Sequence, residues 1–128
     1  MKMTAGQVHD AGVALAAIFN RPREIPQIAK FKLSKMMTSL EGVANKYERR
    51  RFELVKQLGA EEIGQNGLPM GWAVTDANKD EYHTKWNEIR EEDAGEVKIE
   101  TITLAMLGDS PNGLEAHEFK LLGNLVVE

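Results

Sequence analysis

Residues 26–58 read PQIAKFKLSKMMTSLEGVANKYERRRFELVKQL, and their pattern decides the fold. Leu33, Leu40, Tyr47 and Leu54 recur every seven residues, and Ala29, Met36, Val43, Ala44, Val55 and Leu58 fill the same side at three- and four-residue offsets. That spacing predicts one long amphipathic helix with a single buried stripe. Pro26 suits the first turn, where a missing N–H costs nothing. Gly59 suits the residue just past the end, where a left-handed conformation is expected. Arg49, Arg50, Arg51 and Lys56 lie towards the C-terminal end, as the helix dipole prefers. At about 1.5 Å per residue the helix is roughly 50 Å long. One small domain does not need that length, so a partner surface is expected along it. Gly42 stands alone in mid-helix and marks a bend or a tight crossing. The crossing is the favoured reading, with the first helix lying over it.

On the N-terminal side, residues 4–19 predict a shorter helix. Thr4 can cap it and Gln7 sits three residues on, the spacing of a capping box. Val8, Ala11, Leu15, Ile18 and Phe19 form its apolar face. Gly12 costs about 1 kcal/mol against alanine, and close approach to another helix is its expected use. Asn20-Arg21-Pro22-Arg23 breaks this helix, and the short connector folds it back on the long one.

On the C-terminal side, residues 59–76 hold four glycines and a proline and read as an irregular loop, with turns at Asn66-Gly67 and Leu68-Pro69. Trp72-Ala73-Val74 is a candidate short strand entering the core. Residues 77–93 predict a third helix, capped by Asp76 or Asn78, with Tyr82, Trp86 and Ile89 on its narrow apolar stripe. Glu91, Glu92 and Asp93 crowd its last turn, the unfavourable end for anions, and a nearby cation is expected. Residues 96–104 alternate with β-branched side chains and predict a strand, with a bulge or the strand's end where the phase shifts after Thr101. Residues 110–122 predict a short helix, with Ser110 as cap and Pro111 in its first turn. Leu125-Val126-Val127 either adds a terminal strand or completes the core.

The fold class expected is therefore α+β and mainly helical, as a single domain over residues 1–128. The long helix is its spine, with shorter helices packed on it and a small sheet from residues 97–104 and 72–74. The 128 residues suffice for a real core. There is no cysteine, which excludes disulfides and thiolate metal sites. No apolar run at the N-terminus leads to a cleavage site, so export by a signal peptide is not expected, and no run is long enough to span a membrane.

The net charge of −4 conceals an asymmetry. Residues 1–58 carry 11 Lys or Arg against 5 Asp or Glu, a balance of +6, whereas residues 59–128 carry 5 against 15, a balance of −10. Such halves can neutralise each other within the chain, join copies head to tail, or engage a partner.

Motifs for chemistry are missing. The glycines at 59, 64, 67 and 71 form no phosphate-binding loop with a lysine. His9, His83 and His117 lack metal-ligand spacing, and the adjacent His117 and Glu118 point apart on a helix. No nucleophile motif occurs. The carboxylates of the third helix, Glu81, Glu88 and Glu92 among them, read as a solvated acidic face rather than an acid–base pair. No catalytic residue, cofactor or metal is expected, and an enzyme is the minor reading.

The layout resembles a group of small bacteriophage proteins classed together as a domain of unknown function. The resemblance rests on the first helix TAGQVHDAGVALAAIF, then a proline-containing break, then KFKLSKMMTSLEGVANKYERRRFELVKQLG, then EVKIETITL and SPNGLEAHEFKLL. Its most specific part is the lysine-rich helix start followed by arginine and the Leu54-Val55-x-x-Leu58-Gly59 exit. It implies phage origin, a place in the host cytoplasm or the virion, and a non-enzymatic role in virion assembly or on a host factor. The contact surface expected is the pair of opposed charged faces: Lys46, Arg49, Arg50, Arg51 and Lys56 on the long helix, and Glu88, Glu91, Glu92 and Asp93 on the third. A protein partner or a homo-oligomer is expected, with no membrane. Nucleic-acid binding by the same basic residues is the alternative. On this reading Arg50→Glu leaves the fold intact and weakens assembly.

Overall fold

The computed structural model describes residues 1–128. The fold is α+β and mainly helical. In chain order it runs β1 (Lys2–Thr4), α1 (Ala5–Phe19), α2 (Gln27–Leu58), β2 (Gly59–Ile63), β3 (Pro69–Val74), a 3-10 turn (Asp76–Asn78) and α3 (Lys79–Arg90). It continues through β4 (Asp93–Glu96), β5 (Ile102–Thr103), α4 (Leu104–Leu107), α5 (Ala116–Leu122), a 3-10 turn (Gly123–Leu125) and β6 (Val126–Val127).

Helix α2 forms as its spacing requires. Leu33, Met36, Leu40 and Tyr47 are buried along one stripe. They meet Val8, Ala11, Leu15 and Ile18 of α1, and Ile102, Leu122 and Leu125 close the same core from the C-terminal end. Leu54, Val55 and Leu58 continue the stripe beyond this core, where α2 meets α3 and β3. Helix α1 starts on the expected capping box: Gln7 N–H donates to Thr4 Oγ1 at 3.2 Å and Thr4 N–H to Gln7 Oε1 at 2.9 Å. Gly12 has the expected use, since a Cβ there would lie 3.1 Å from Ala44 Cβ of α2. The crossing is therefore at Gly12 and not at Gly42. Gly42 is exposed, with nothing within 4 Å of an added Cβ.

Four boundaries differ from expectation. The loop over 59–76 is an antiparallel hairpin in which Gly59 opposes Val74 and Glu61 opposes Trp72. Glu61-Glu62 gave β2 no apolar alternation, which hid it. Gly59 is extended (φ −127°), not left-handed; glycine is needed because a Cβ would sit 2.2 Å from Ala73 O. Asn66-Gly67 does turn the chain: Gly67 has φ 77°, and Leu68 N–H donates to Asn66 Oδ1 at 3.0 Å.

Helix α3 stops at Arg90, not at 93, because the chain leaves it to pair with β1. Ala5 N–H donates to Glu92 O at 2.8 Å, and Thr4 opposes Asp93. The strand over 96–104 is likewise displaced. Its ladder residues are β4, which ends at Glu96, and the two residues of β5, which pair in parallel with β6. Of the two readings of the phase shift after Thr101, the bulge does not hold and an element boundary does: β5 begins at Ile102. The expected sheet joining residues 72–74 to 97–104 does not form; there are three separate two-stranded pairs. Finally, Ser110 caps no helix. Its hydroxyl donates to Glu24 at 2.5 Å in a turn closed by Gly113 N–H to Ser110 O, and α5 begins at Ala116 behind Glu115.

Candidate interaction surface

The two charged clusters lie where α2 and α3 pack, and much of their charge is satisfied inside the chain. Arg50 grips Glu92 with both guanidinium nitrogens, one of them at 3.1 Å, and its guanidinium lies 5.8 Å from the Tyr47 ring. This bond holds the Glu92 carboxyl below its ordinary range and Arg50 above its own. Arg50 thus relieves Glu92, two residues beyond the end of α3, of the unfavourable helix-end field. Arg51 turns back one helical turn onto Glu48, at 2.5 Å from Nη2 and 3.0 Å from Nε. Arg51 lowers the Glu48 carboxyl to about 2 against the cost of its burial, and His9 contributes further.

The sequence reading missed the rest of this seam, whose partners are far apart in the chain. His9 Nε2 lies 2.6 Å from Glu48 Oε2, and the His9 ring stands edge-on to Trp86 with centroids 5.0 Å apart. Arg90 binds Asp10 through two bonds of 2.8 Å. Helix α3 is therefore tied to α1 by Asp10 and His9, and the segment that follows it is tied to α2 by Arg50. Of the other expected contact residues, Asp93 accepts from Gly95 N–H at 2.7 Å within β4, where the register with β1 shifts. Lys46, Arg49, Glu88 and Glu91 are exposed and enter no ion pair, and Lys56 lies over the Phe52 ring at 4.8 Å.

A second ionic knot is fully buried. Arg23, in the connector before α2, meets Glu118 of α5 at 2.5 and 2.8 Å and also donates to Ala17 O and Gly113 O. Their side chains are 4% and 1% exposed, so the pair is a fastening rather than a surface. The Arg23 bond depresses the Glu118 carboxyl despite its burial.

Apolar exposure lies elsewhere. The hairpin leaves Ile63, Leu68 and Met70 at 60%, 61% and 74% exposed, and Trp72 at 38%. Trp72 therefore does not enter the core as expected. The ribbon has only two strands, so its backbone edges have no further strand to pair with. At the opposite end of the spine, Ile28 and Phe31 are 59% and 62% exposed. Both signals were available in the sequence. Ile28 and Phe31 fall off the heptad stripe, and no polar alternation accounts for Met70 or Leu68.

The largest cleft, of about 370 Å³, runs between α1 and α2. Val13, Ala16, Met37 and Leu40 line it, and the His9–Glu48 pair closes one end. Its Thr38 hydroxyl donates to Ser34 O at 3.1 Å, so it presents no hydroxyl paired to the histidine. No three His, Asp or Glu side chains converge as metal ligands. No helix is long and apolar enough to cross a membrane. No family model matches the chain, and no match is found among curated proteins or solved structures.

Proposed function

We propose that this is a non-enzymatic interaction protein of phage type, in the host cytoplasm or the virion, that serves assembly or binds a host factor through its β2–β3 hairpin. The observation that carries this is the hairpin itself: four large apolar side chains exposed on one short ribbon at the end of a rigid helix. Large apolar side chains left exposed close together in the chain suit a contact site, and a ribbon edge adds unpaired backbone donors and acceptors. The charged faces expected to make the contact support it less, because Arg50, Arg51 and Glu92 are engaged within the chain. Their role is to hold α3 and set the base from which the hairpin projects.

The nucleic-acid alternative retains Lys46, Arg49 and Lys56 of its five cations. Three phosphate contacts give a salt slope of only about −2.7. A labelled duplex that fails to shift at low salt removes it. The protein-contact reading is tested by a photo-crosslinking residue at Met70, in the cells where the protein is naturally made, with the same residue at exposed Gly42 as control. The expected result is a covalent adduct to a second polypeptide from position 70 alone. No adduct there, or equal adducts from both positions, overturns it.

A further inference from the structure

We infer that the hairpin of one copy seats on the start of α2 of a second copy, so that copies join head to tail. This rests on the hairpin being a protein-contact surface and names its partner. The start of α2 offers the matching chemistry. Exposed Ile28 and Phe31 are flanked by Lys30, Lys32 and Lys35, and Lys35 Nζ lies 5.2 Å from the Phe31 ring centroid. Lys32, Lys35 and Lys98 outnumber the one acid, Glu100, around a cleft of about 310 Å³ beside Met36 and Ile99. None of these four lysines has an ion-pair partner within the chain, and neither have Glu61 and Glu62 of β2. One surface is thus apolar with free acids, the other apolar with free bases, and such complementarity selects and orients a partner.

One copy cannot satisfy itself. Phe31 lies 27 residues, about 40 Å, along α2 from Leu58 where the hairpin begins, while the five-residue arm of the hairpin reaches about 17 Å. Pairing β2 against β2 of another copy is disfavoured, since Glu61 and Glu62 would face like charges across the strands. A contact between two different patches closes as a two-copy ring where it is made reciprocally, and otherwise builds larger rings or open chains.

The test is molar mass by light scattering at low salt on the full chain and two one-ended variants. Glu61→Lys with Met70→Asp disables the hairpin, and Phe31→Asp with Lys32→Glu disables the α2 start. Glu61, Met70 and Phe31 are exposed and Lys32 is half-buried. A pair that loses its far-UV helix signal is replaced by Leu68→Asp or Ile28→Asp. The expected wild-type mass grows with concentration in multiples of 14.3 kDa. Each variant alone stays a monomer, and an equimolar mixture gives a one-to-one dimer, because it holds one intact surface of each kind. Self-association of the hairpin-disabled variant, or of the start-disabled variant by hairpin-to-hairpin pairing, overturns the inference. So does a wild-type monomer up to about 1 mM, where even contacts of about 4 kcal/mol register. If that monomer still gives a Met70 photo-adduct to a foreign protein, the hairpin reading stands and only the identity of its partner falls.

Discussion

The α1–α2 crossing and the β2–β3 hairpin are both rich in large apolar side chains, yet they treat them in opposite ways. At the crossing Leu15, Leu33, Met36 and Leu40 are all under 2% exposed or close to it, around a glycine that admits Ala44. In the hairpin Ile63, Leu68 and Met70 are more than half exposed. Full burial of such a side chain contributes about 1.5–3 kcal/mol, which the hairpin forgoes in the isolated chain. On the proposed reading, stability and contact fall to separate parts of one molecule. Substitutions at the crossing should cost folding and spare association only trivially, and substitutions in the hairpin should do the reverse.

The largest expected effect is at the crossing. Leu40→Asp removes a buried leucine and buries an unpaired charge, a loss of about 5 kcal/mol or more that matches the whole stability of a marginal domain. Circular dichroism should show no cooperative melt. A folded Leu40→Asp protein would erase the distinction between the two regions. Glu118→Ala comes next. It strands the Arg23 guanidinium in the interior and should cost about 3–5 kcal/mol in urea unfolding.

Acidification probes the same half of the molecule. Glu48, Glu92 and Glu118 all have folded-state carboxyls below their ordinary value, through Arg51, Arg50 and Arg23 respectively. A depressed carboxyl stabilises above its unfolded value and loses that contribution as protons bind the folded state. Melting temperature should therefore hold from neutral pH down to about 4.5 and fall from there towards about 2, the folded value of Glu48. A melting temperature flat over that window would mean the three pairs contribute nothing.

Arg50→Glu is smaller. It exchanges a half-exposed ion pair for two facing anions, and about 1 kcal/mol is expected, a few degrees in melting temperature. This revises the expectation that the residue serves assembly alone. Met70→Asp closes the series, with stability unchanged within about 0.5 kcal/mol and association abolished. A destabilisation there equal to that of Glu118→Ala would make the hairpin part of the core.

The legible parts of the sequence were local. The α2 stripe, the Thr4–Gln7 capping box and the Asn66-Gly67 turn each state their reason within a few residues. The illegible parts depend on distance along the chain. Arg50 and Glu92 are 42 residues apart, Asp10 and Arg90 are 80 apart, and no periodicity links them. The charge run was noticed but its mates were not. Residues 72–74 and 126–127 are legible as strands and fall in β3 and β6; β1, β2 and β4 are not, because they are short, paired two by two, and carry Glu61, Glu62 or Asp93 where alternation would place apolar residues. The exposed apolar hairpin was misread for a related reason: hydrophobic residues between turn signals imply burial only when something in the same chain covers them.

The most direct measurement is amide hydrogen exchange across β2–β3 and α1, on the wild-type chain at low salt, from about 1 µM to about 1 mM. The hairpin amides should exchange fast when dilute and slow markedly as copies meet, with α1 slow throughout. Hairpin amides already as protected as α1 in the dilute chain, or unchanged by concentration and partner alike, would contradict the assignment of contact to the hairpin.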